Sequence, residues 1–403
     1  MTEFKITVIL AYCVIVICIC HAQLPKKDVY ATVPQLLSKN GYPVEKHRVK
    51  TDDGYILQVH RIPAGRRFAR RSGTPGGKGK KAVLVVHGLL GSSGDFVVMG
   101  PQSSLSYILA DGGYDVWLAN LRGNMYTTHE NLTRNDEVFW NYSFHEHGKY
   151  DIPAIIETVL NVTGLSKILY IGYSMGTTSF FTMMSQRPEY NDKLIAFVAL
   201  APAVYLDNIK PMASFLLKSI DIVNTLRQQG MMSAEFRRDI KDFVAGSVCS
   251  AKHAQYDVCM RMIFSIVGED YEQHVWDMTS VIVTRMQPAS WKQLEHFGKI
   301  AITGTFTQWE DGLWGAVKPY NLSNVRIPVS IRYGENDQLT EKSQILRLAK
   351  ELNDTGTLYS IKPGCSWPKF NHLDFIFARD VGKLVNKPLI THLDELYNKF
   401  HKE

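Results

Sequence analysis

The stretch Gly172-Tyr173-Ser174-Met175-Gly176 constrains what this chain can fold into more than any other. It follows the apolar run Lys167-Ile168-Leu169-Tyr170-Ile171 and precedes a helix-like segment, Thr177 to Arg187, so it reads as strand, sharp turn, helix. Such a turn demands glycine two residues either side of the serine, because β-carbons there would collide with the neighbouring strand and helix. The Ser174 hydroxyl is then presented at the carboxyl end of the strand. The N-terminus of the next helix, with the Met175 backbone N–H, can stabilise a developing oxyanion beside it. A Gly/Ser turn is common in itself; its position between strand and helix raises the nucleophile reading above the structural one.

A serine hydroxyl is a poor nucleophile until a histidine takes its proton, and a carboxylate fixes the tautomer of that histidine and stabilises the imidazolium. After an elbow of this kind the acid precedes the histidine. Val325 to Arg332 reads as a buried strand with one irregular proline, and it runs into Tyr333-Gly334-Glu335-Asn336-Asp337. Asp337 therefore sits in the loop after a strand. A further short strand, Thr357 to Ile361, leads through Gly364-Cys365-Ser366-Trp367-Pro368-Lys369-Phe370-Asn371 to His372, just before an apolar helix read over Leu373 to Val385. Of thirteen histidines, His372 alone combines the right order, a loop position and a following helix. Asp337 could be a plain turn former with Asp374 as the acid, but Asp374 begins a helix, where a carboxylate is favoured for capping. Asp337 is the better candidate.

Upstream, the apolar strand Ala82-Val83-Leu84-Val85-Val86 ends in His87-Gly88-Leu89-Leu90-Gly91. A His-Gly loop after an early strand supplies a second oxyanion donor, here the Leu89 backbone N–H beside that of Met175. His87 is read as bracing that loop rather than reacting.

With these elements in place the chain resembles the acid lipase family of α/β-hydrolases, to which gastric and lysosomal acid lipases belong. The likeness runs along most of the chain. Its landmarks include Asn40-Gly41-Tyr42-Pro43, Asp52-Asp53-Gly54-Tyr55, Asn120-Leu121-Arg122-Gly123-Asn124, Tyr150-Asp151-Ile152-Pro153 and Asn371-His372-Leu373-Asp374-Phe375. The resemblance implies an α/β-hydrolase fold and Ser174, Asp337 and His372 as catalytic triad, with Leu89 and Met175 as oxyanion donors. It also implies a lipid ester bound at a lipid–water interface, and no cofactor. Members commonly have His and Gln flanking the nucleophile, where this chain has Tyr173 and Met175; the oxyanion contact uses only the Met175 backbone. An esterase for soluble short-chain esters and a non-catalytic lipid-binding protein are the alternatives, and the complete triad argues against the second.

Ile6 to Cys20 form an apolar run of fifteen residues, preceded by Lys5 and followed by His21-Ala22-Gln23. That is short for a membrane span and, with Cys20 and Ala22 at the small-residue positions, reads as a signal peptide over residues 1–22 rather than an anchor. Five Asn-x-Ser/Thr sequons, at Asn131, Asn141, Asn161, Asn321 and Asn353, agree with a route to a secreted or lysosomal destination. Three of six cysteines fall in the leader. Cys249 and Cys259 can close a short loop in an oxidising compartment, leaving Cys365 unpaired. A Cys365 nucleophile is rejected, because the elbow belongs to Ser174.

Strands alternate with helices from Arg48 to about Pro202 and again from Val325, which predicts one largely parallel sheet with helices on both faces. Residues 23–202 and 325–403 read as that core. Residues 203–324, rich in Met, Phe, Ile and Trp at helical spacing, read as a cap and lid over the site. The formal net charge of +6 is local: Arg66, Arg67, Arg70, Arg71, Lys78, Lys80 and Lys81 supply seven positive charges in one glycine-rich loop. This reads as a solvated loop. No metal-ligand cluster, internal repeat or nucleic-acid-binding element is recognisable.

Overall fold

A computed structural model describes residues 27–66, 80–207, 233 and 238–401. The stretch read as a leader (1–22), most of the basic loop (67–79) and residues 208–232 and 234–237 of the stretch read as a cap lie outside the described residues.

Nine strands form one sheet: β1 (Glu45–Lys50), β2 (Tyr55–Ile62), β3 (Ala82–Val86), β4 (Asp115–Leu118), β5 (Thr127–His129), β6 (Ile168–Tyr173), β7 (Leu194–Leu200), β8 (Val329–Tyr333) and β9 (Leu358–Pro363). Their order is β1-β2-β4-β3-β6-β7-β8-β9, with β5 paired to β2. β1, β2 and β5 join by antiparallel pairing, and every pairing from β4 across to β9 is parallel. All residues of β3, β6 and β7 are buried, as befits strands covered on both faces.

Period-two alternation sorts their side chains into two cores. Leu84, Val86, Tyr170, Phe197 and Ala199 face one layer, while Val83, Val85, Leu169, Ile171, Val198 and Leu200 face the other. The helices include α1 (Leu105–Asp111), α2 (Ile152–Thr163), α3 (Met175–Gln186), α4 (Tyr256–Val267), α5 (Met278–Arg285), α6 (Trp291–Thr303), α7 (Lys342–Asp354) and α8 (Lys387–Phe400). α2, α3 and α7 cover the first face, and α1 and α8 the second. The parallel sheet with helices on both faces read from the alternating pattern is the observed architecture.

Two local readings are corrected. The strand read from Val325 begins only at Val329, because Pro328 has no N–H to give to a ladder. The helix read over Leu373 to Val385 is broken after a single turn, Asp374–Phe377, and Ala378 is extended. Gln273 causes the break: its carbonyl accepts from Arg379 N (2.7 Å) and its side-chain oxygen from Asp380 N (3.1 Å), holding that backbone out of the helix.

Within 203–324 the described residues are mainly helical. Phe297, Ile300 and Ala301 of α6 join the core that includes α3, so this part of the insertion is packed into the body of the molecule. Cys249 and Cys259 form a disulfide that ties the first turn of α4 to the preceding segment. Among the described residues no helix is long and apolar enough to cross a membrane. All five sequon asparagines are exposed.

One buried ion network locks the antiparallel end of the sheet to the loop after β4. Arg122 donates to Asp151 through Nε (2.9 Å) and Nη2 (2.7 Å), and to Asp53 through Nη1 (2.6 Å) and Nη2 (2.9 Å). The Arg122 and Asp151 side chains are almost wholly excluded from water. Removing one partner leaves an uncompensated buried charge, so Arg122→Ala is expected to cost about 3–5 kcal/mol. Denaturant unfolding checks this; an unchanged midpoint with an unchanged slope would contradict it.

Candidate active site

Ser174 sits between the last residue of β6 and the first of α3 with φ 51° and ψ −118°, a conformation costly for any residue with a β-carbon. The surrounding packing imposes it. A β-carbon on Gly176 would lie 2.4 Å from the Val86 carbonyl oxygen, and one on Gly172 would lie 2.8 Å from the Gly176 carbonyl. The elbow is thus pressed against the end of β3. Ser174 N donates to Leu200 O at 2.9 Å, which fixes the turn to β7 as well.

The loop after β3 lies against the same turn, for a β-carbon on Gly88 would be 3.2 Å from Ser174 Cβ. His87 braces it. Its Nε2 accepts from Leu121 N (3.2 Å), so its Nδ1–H donates to Gly88 O (2.8 Å). Burial pushes His87 down to about 4, and it stays a neutral strut. Met175 opens α3, so its N–H has no intrahelical acceptor. The Leu89 and Met175 segments thus flank Ser174.

Asp337 and His372 arrive from the loops after β8 and β9. His372 Nδ1 lies 2.7 Å from Asp337 Oδ2, and His372 Nε2 lies 2.9 Å from Ser174 Oγ. Because the carboxylate only accepts, Nδ1 carries the proton and Nε2 is left to accept from the serine hydroxyl. All three side chains are buried, Ser174 being 6% exposed. Asp337 is itself held: Oδ1 accepts from Leu339 N (2.9 Å) and Thr340 N (2.8 Å), and Oδ2 accepts from Thr340 Oγ (2.7 Å).

Asp374 occupies a different position. Its Oδ2 accepts from Asn371 N at 2.7 Å, and its own N–H donates to Asn371 Oδ1 at 3.1 Å, closing the turn that carries His372. Burial, with the neighbouring Asp270 and Asp337 carboxyls, pushes Asp374 up to about 8. Asp374 thus holds the backbone of that turn, whereas Asp337 is the carboxyl bonded to His372 Nδ1. Cys365 is half-buried, and burial raises its thiol too, so it is no thiolate nucleophile. Among the described residues no group of three or more His, Cys, Asp or Glu could hold a metal.

Two supporting residues escaped the sequence reading. Thr340 completes an Asx-type turn three residues after Asp337, a spacing recognisable once the aspartate is chosen. Tyr173 Oη donates to the His372 carbonyl at 3.0 Å, with its ring 5.3 Å from the imidazole, a contact between positions 199 residues apart that no local pattern announces.

A serine held in a strand-to-helix elbow and hydrogen-bonded to a histidine–aspartate pair defines a serine hydrolase constellation on an α/β sheet. Residues 81–373 match the α/β-hydrolase fold model, and residues 33–100 match a partial α/β-hydrolase lipase region. Lipase 1 of Drosophila melanogaster is 36% identical over 92% of this chain and 81% of its own. The gastric triacylglycerol lipase of Bos taurus is 32% identical over 90% of this chain and 91% of its own. A solved structure from Sulfolobus solfataricus, 13% identical, aligns over 87% of this chain and 99% of that one with a TM-score of 0.55, which shows the fold alone. The chain belongs to the acid lipase family of α/β-hydrolases and is a carboxylic ester hydrolase.

The raised Asp374 makes a pH prediction. An acid whose folded value lies above its unfolded one stabilises the fold fully below the unfolded value, and that contribution is lost as pH rises through the folded value. For Asp374 the window runs from about 4 to about 8. Asp374→Asn removes this titration, so its Tm relative to the parent should climb steadily across that window. A difference that does not change with pH would reject the assignment.

Proposed function

We propose that this protein hydrolyses the carboxylic esters of lipids, of the triacylglycerol or cholesteryl ester type, through an acyl-enzyme formed on Ser174. The observation that carries the reading is the unbroken relay from Asp337 to His372 to Ser174, with separations of 2.7 and 2.9 Å. His372 takes the proton of Ser174 as its oxygen attacks the ester carbonyl. Asp337 holds the imidazole in the required tautomer and stabilises the imidazolium. The Leu89 and Met175 amides receive the oxyanion. His372 then returns the proton to the leaving alcohol, and water repeats the sequence on the acyl intermediate.

Triacylglycerol as substrate class is supported by the naming of the bovine relative. The leader-like residues 1–22 and five exposed sequon asparagines support passage through the secretory pathway to a secreted or lysosomal destination. In this reading 23–202 and 325–403 form the catalytic core and 203–324 the cap.

Ser174→Ala and His372→Ala should each lower ester hydrolysis by roughly three to six orders of magnitude, with Asp337→Ala less severe, while all three keep the parental melting behaviour. Turnover of a soluble chromogenic ester and fluorophosphonate labelling of Ser174 provide the measurement. Near-parental turnover in folded Asp337→Ala, with loss in Asp374→Ala, would reassign the acid.

Lipase and soluble esterase separate on the physical state of the substrate. If opening of the cap exposes an apolar surface, aggregated substrate binds that open state preferentially and draws the equilibrium toward it. A short-chain ester followed through its solubility limit should therefore show a rise in turnover on aggregates, accompanied by hydrolysis of emulsified long-chain triacylglycerol or cholesteryl ester. Saturation on dissolved ester with no response to any emulsion would replace lipase by esterase and leave the Ser174 mechanism standing.

A further inference from the structure

The C-terminal end of α4, though it belongs to the insertion, lies directly on the two loops that carry Asp337 and His372. The Val267 carbonyl accepts from both Gln338 N (3.4 Å) and His372 N (3.3 Å), so one oxygen spans the acid loop and the base loop. Gly268 O accepts from Asn371 Nδ2 at 2.8 Å, and Glu269 O accepts from Asn336 Nδ2 at 2.8 Å. Gly268 has φ +103°, and a β-carbon there would lie 1.9 Å from the Asn336 carbonyl oxygen and 3.2 Å from Asn371 Cβ. The overlap is with backbone, which has nowhere to retreat without moving the residue beside Asp337.

We infer that the Val267-Gly268-Glu269 turn is a positioning clamp for the catalytic acid and base, and that Gly268 is the residue on which their separation depends. Asp337 and His372 reach each other from the loops after two adjacent strands, and their 2.7 Å contact needs both loops placed to within a few tenths of an ångström. Backbone acceptors from a third element supply that placement from outside the sheet. The far end of α4 is itself secured by the Cys249–Cys259 bridge, so the clamp is tethered at both ends of its helix. The inference rests on the assignment of Asp337 and His372 made above.

The test replaces Gly268 with alanine and measures kcat and KM on a dissolved short-chain ester, the rate of Ser174 labelling by a fluorophosphonate, and melting. Displacing catalytic groups by about an ångström costs on the order of 100-fold, so kcat and the labelling rate should both fall about that far while KM is unchanged. A merely structural role for the turn would move melting or KM and spare the labelling rate. Gly164→Ala is the control: Gly164 has a left-handed φ of +72° with nothing within 4 Å of a β-carbon, so it imposes comparable backbone strain without an overlap and should leave kcat at the parental value. Asn336→Ala removes the 2.8 Å bond to the Glu269 carbonyl and leaves both bonds between Asn371 and Asp374 in place; it should give a smaller fall of the same kind, and it decides the matter if Gly268→Ala does not fold. Folded Gly268→Ala, or failing it Asn336→Ala, with parental kcat and labelling overturns the clamp. If Ser174→Ala retains hydrolysis, the underlying triad assignment fails instead, so the two failures are distinguishable.

Discussion

The contact on which the rest of this structure depends is the approach of Gly176 to the carboxyl end of β3, where only a missing side chain lets helix and strand meet. β3 connects to β4 on one side and β6 adds on the other, so the strand order reverses between β3 and β6. Open α/β sheets leave a crevice at such a switch point. Here the elbow after β6 fills the crevice, with Gly176 packed against the Val86 carbonyl, and the loop after β3 lies alongside. The strained backbone of Ser174 is tolerated because three neighbours, β3, β7 and α3, over-determine it.

Several stretches that mark the family in sequence turn out to be scaffolding rather than chemistry. Asp53, Arg122 and Asp151 form the buried ion network, and Leu121 donates its N–H to His87. The chain of support therefore runs from a charged cluster under the antiparallel strands, through one neutral imidazole, to the Gly88 carbonyl beside Ser174. His87 can serve as a strut because burial denies it a proton. A charged imidazolium would lose the acceptor that Leu121 requires.

What was legible in the sequence is what local pattern encodes. The elbow announces itself by two glycines and an apolar run, and Asp337 and His372 are each found as the polar residue in a loop following a strand. The parallel sheet follows from alternation. Contacts between distant segments were not legible. The break at Ala378 comes from Gln273, more than a hundred residues upstream, overriding an apolar periodicity that favoured a continuous helix. Residues 203–324 were set apart by composition and read as a cap, yet nothing in that composition distinguishes α6, which enters the main core, from a cover. Thr340 and Tyr173 became interpretable only once the groups they touch were located.

Three of the five sequon asparagines share one edge of the sheet. Asn161 lies in the last turn of α2 and Asn353 in that of α7, just ahead of β6 and β9, while Asn321 N bonds Ser185 Oγ at the C-terminal end of α3. Helices run against the strands they connect, so these three positions lie toward the amino edge of the parallel strands, and Ser174, Asp337 and His372 lie toward the carboxyl edge. Glycans attached at that edge would act as a hydrophilic ballast. Asn131 and Asn141 follow β5, whose His129 pairs with Tyr55 beyond the carboxyl end of β4, so glycans on these two would stand near the opposite edge and narrow the approaches to an oil droplet that leave Ser174 accessible.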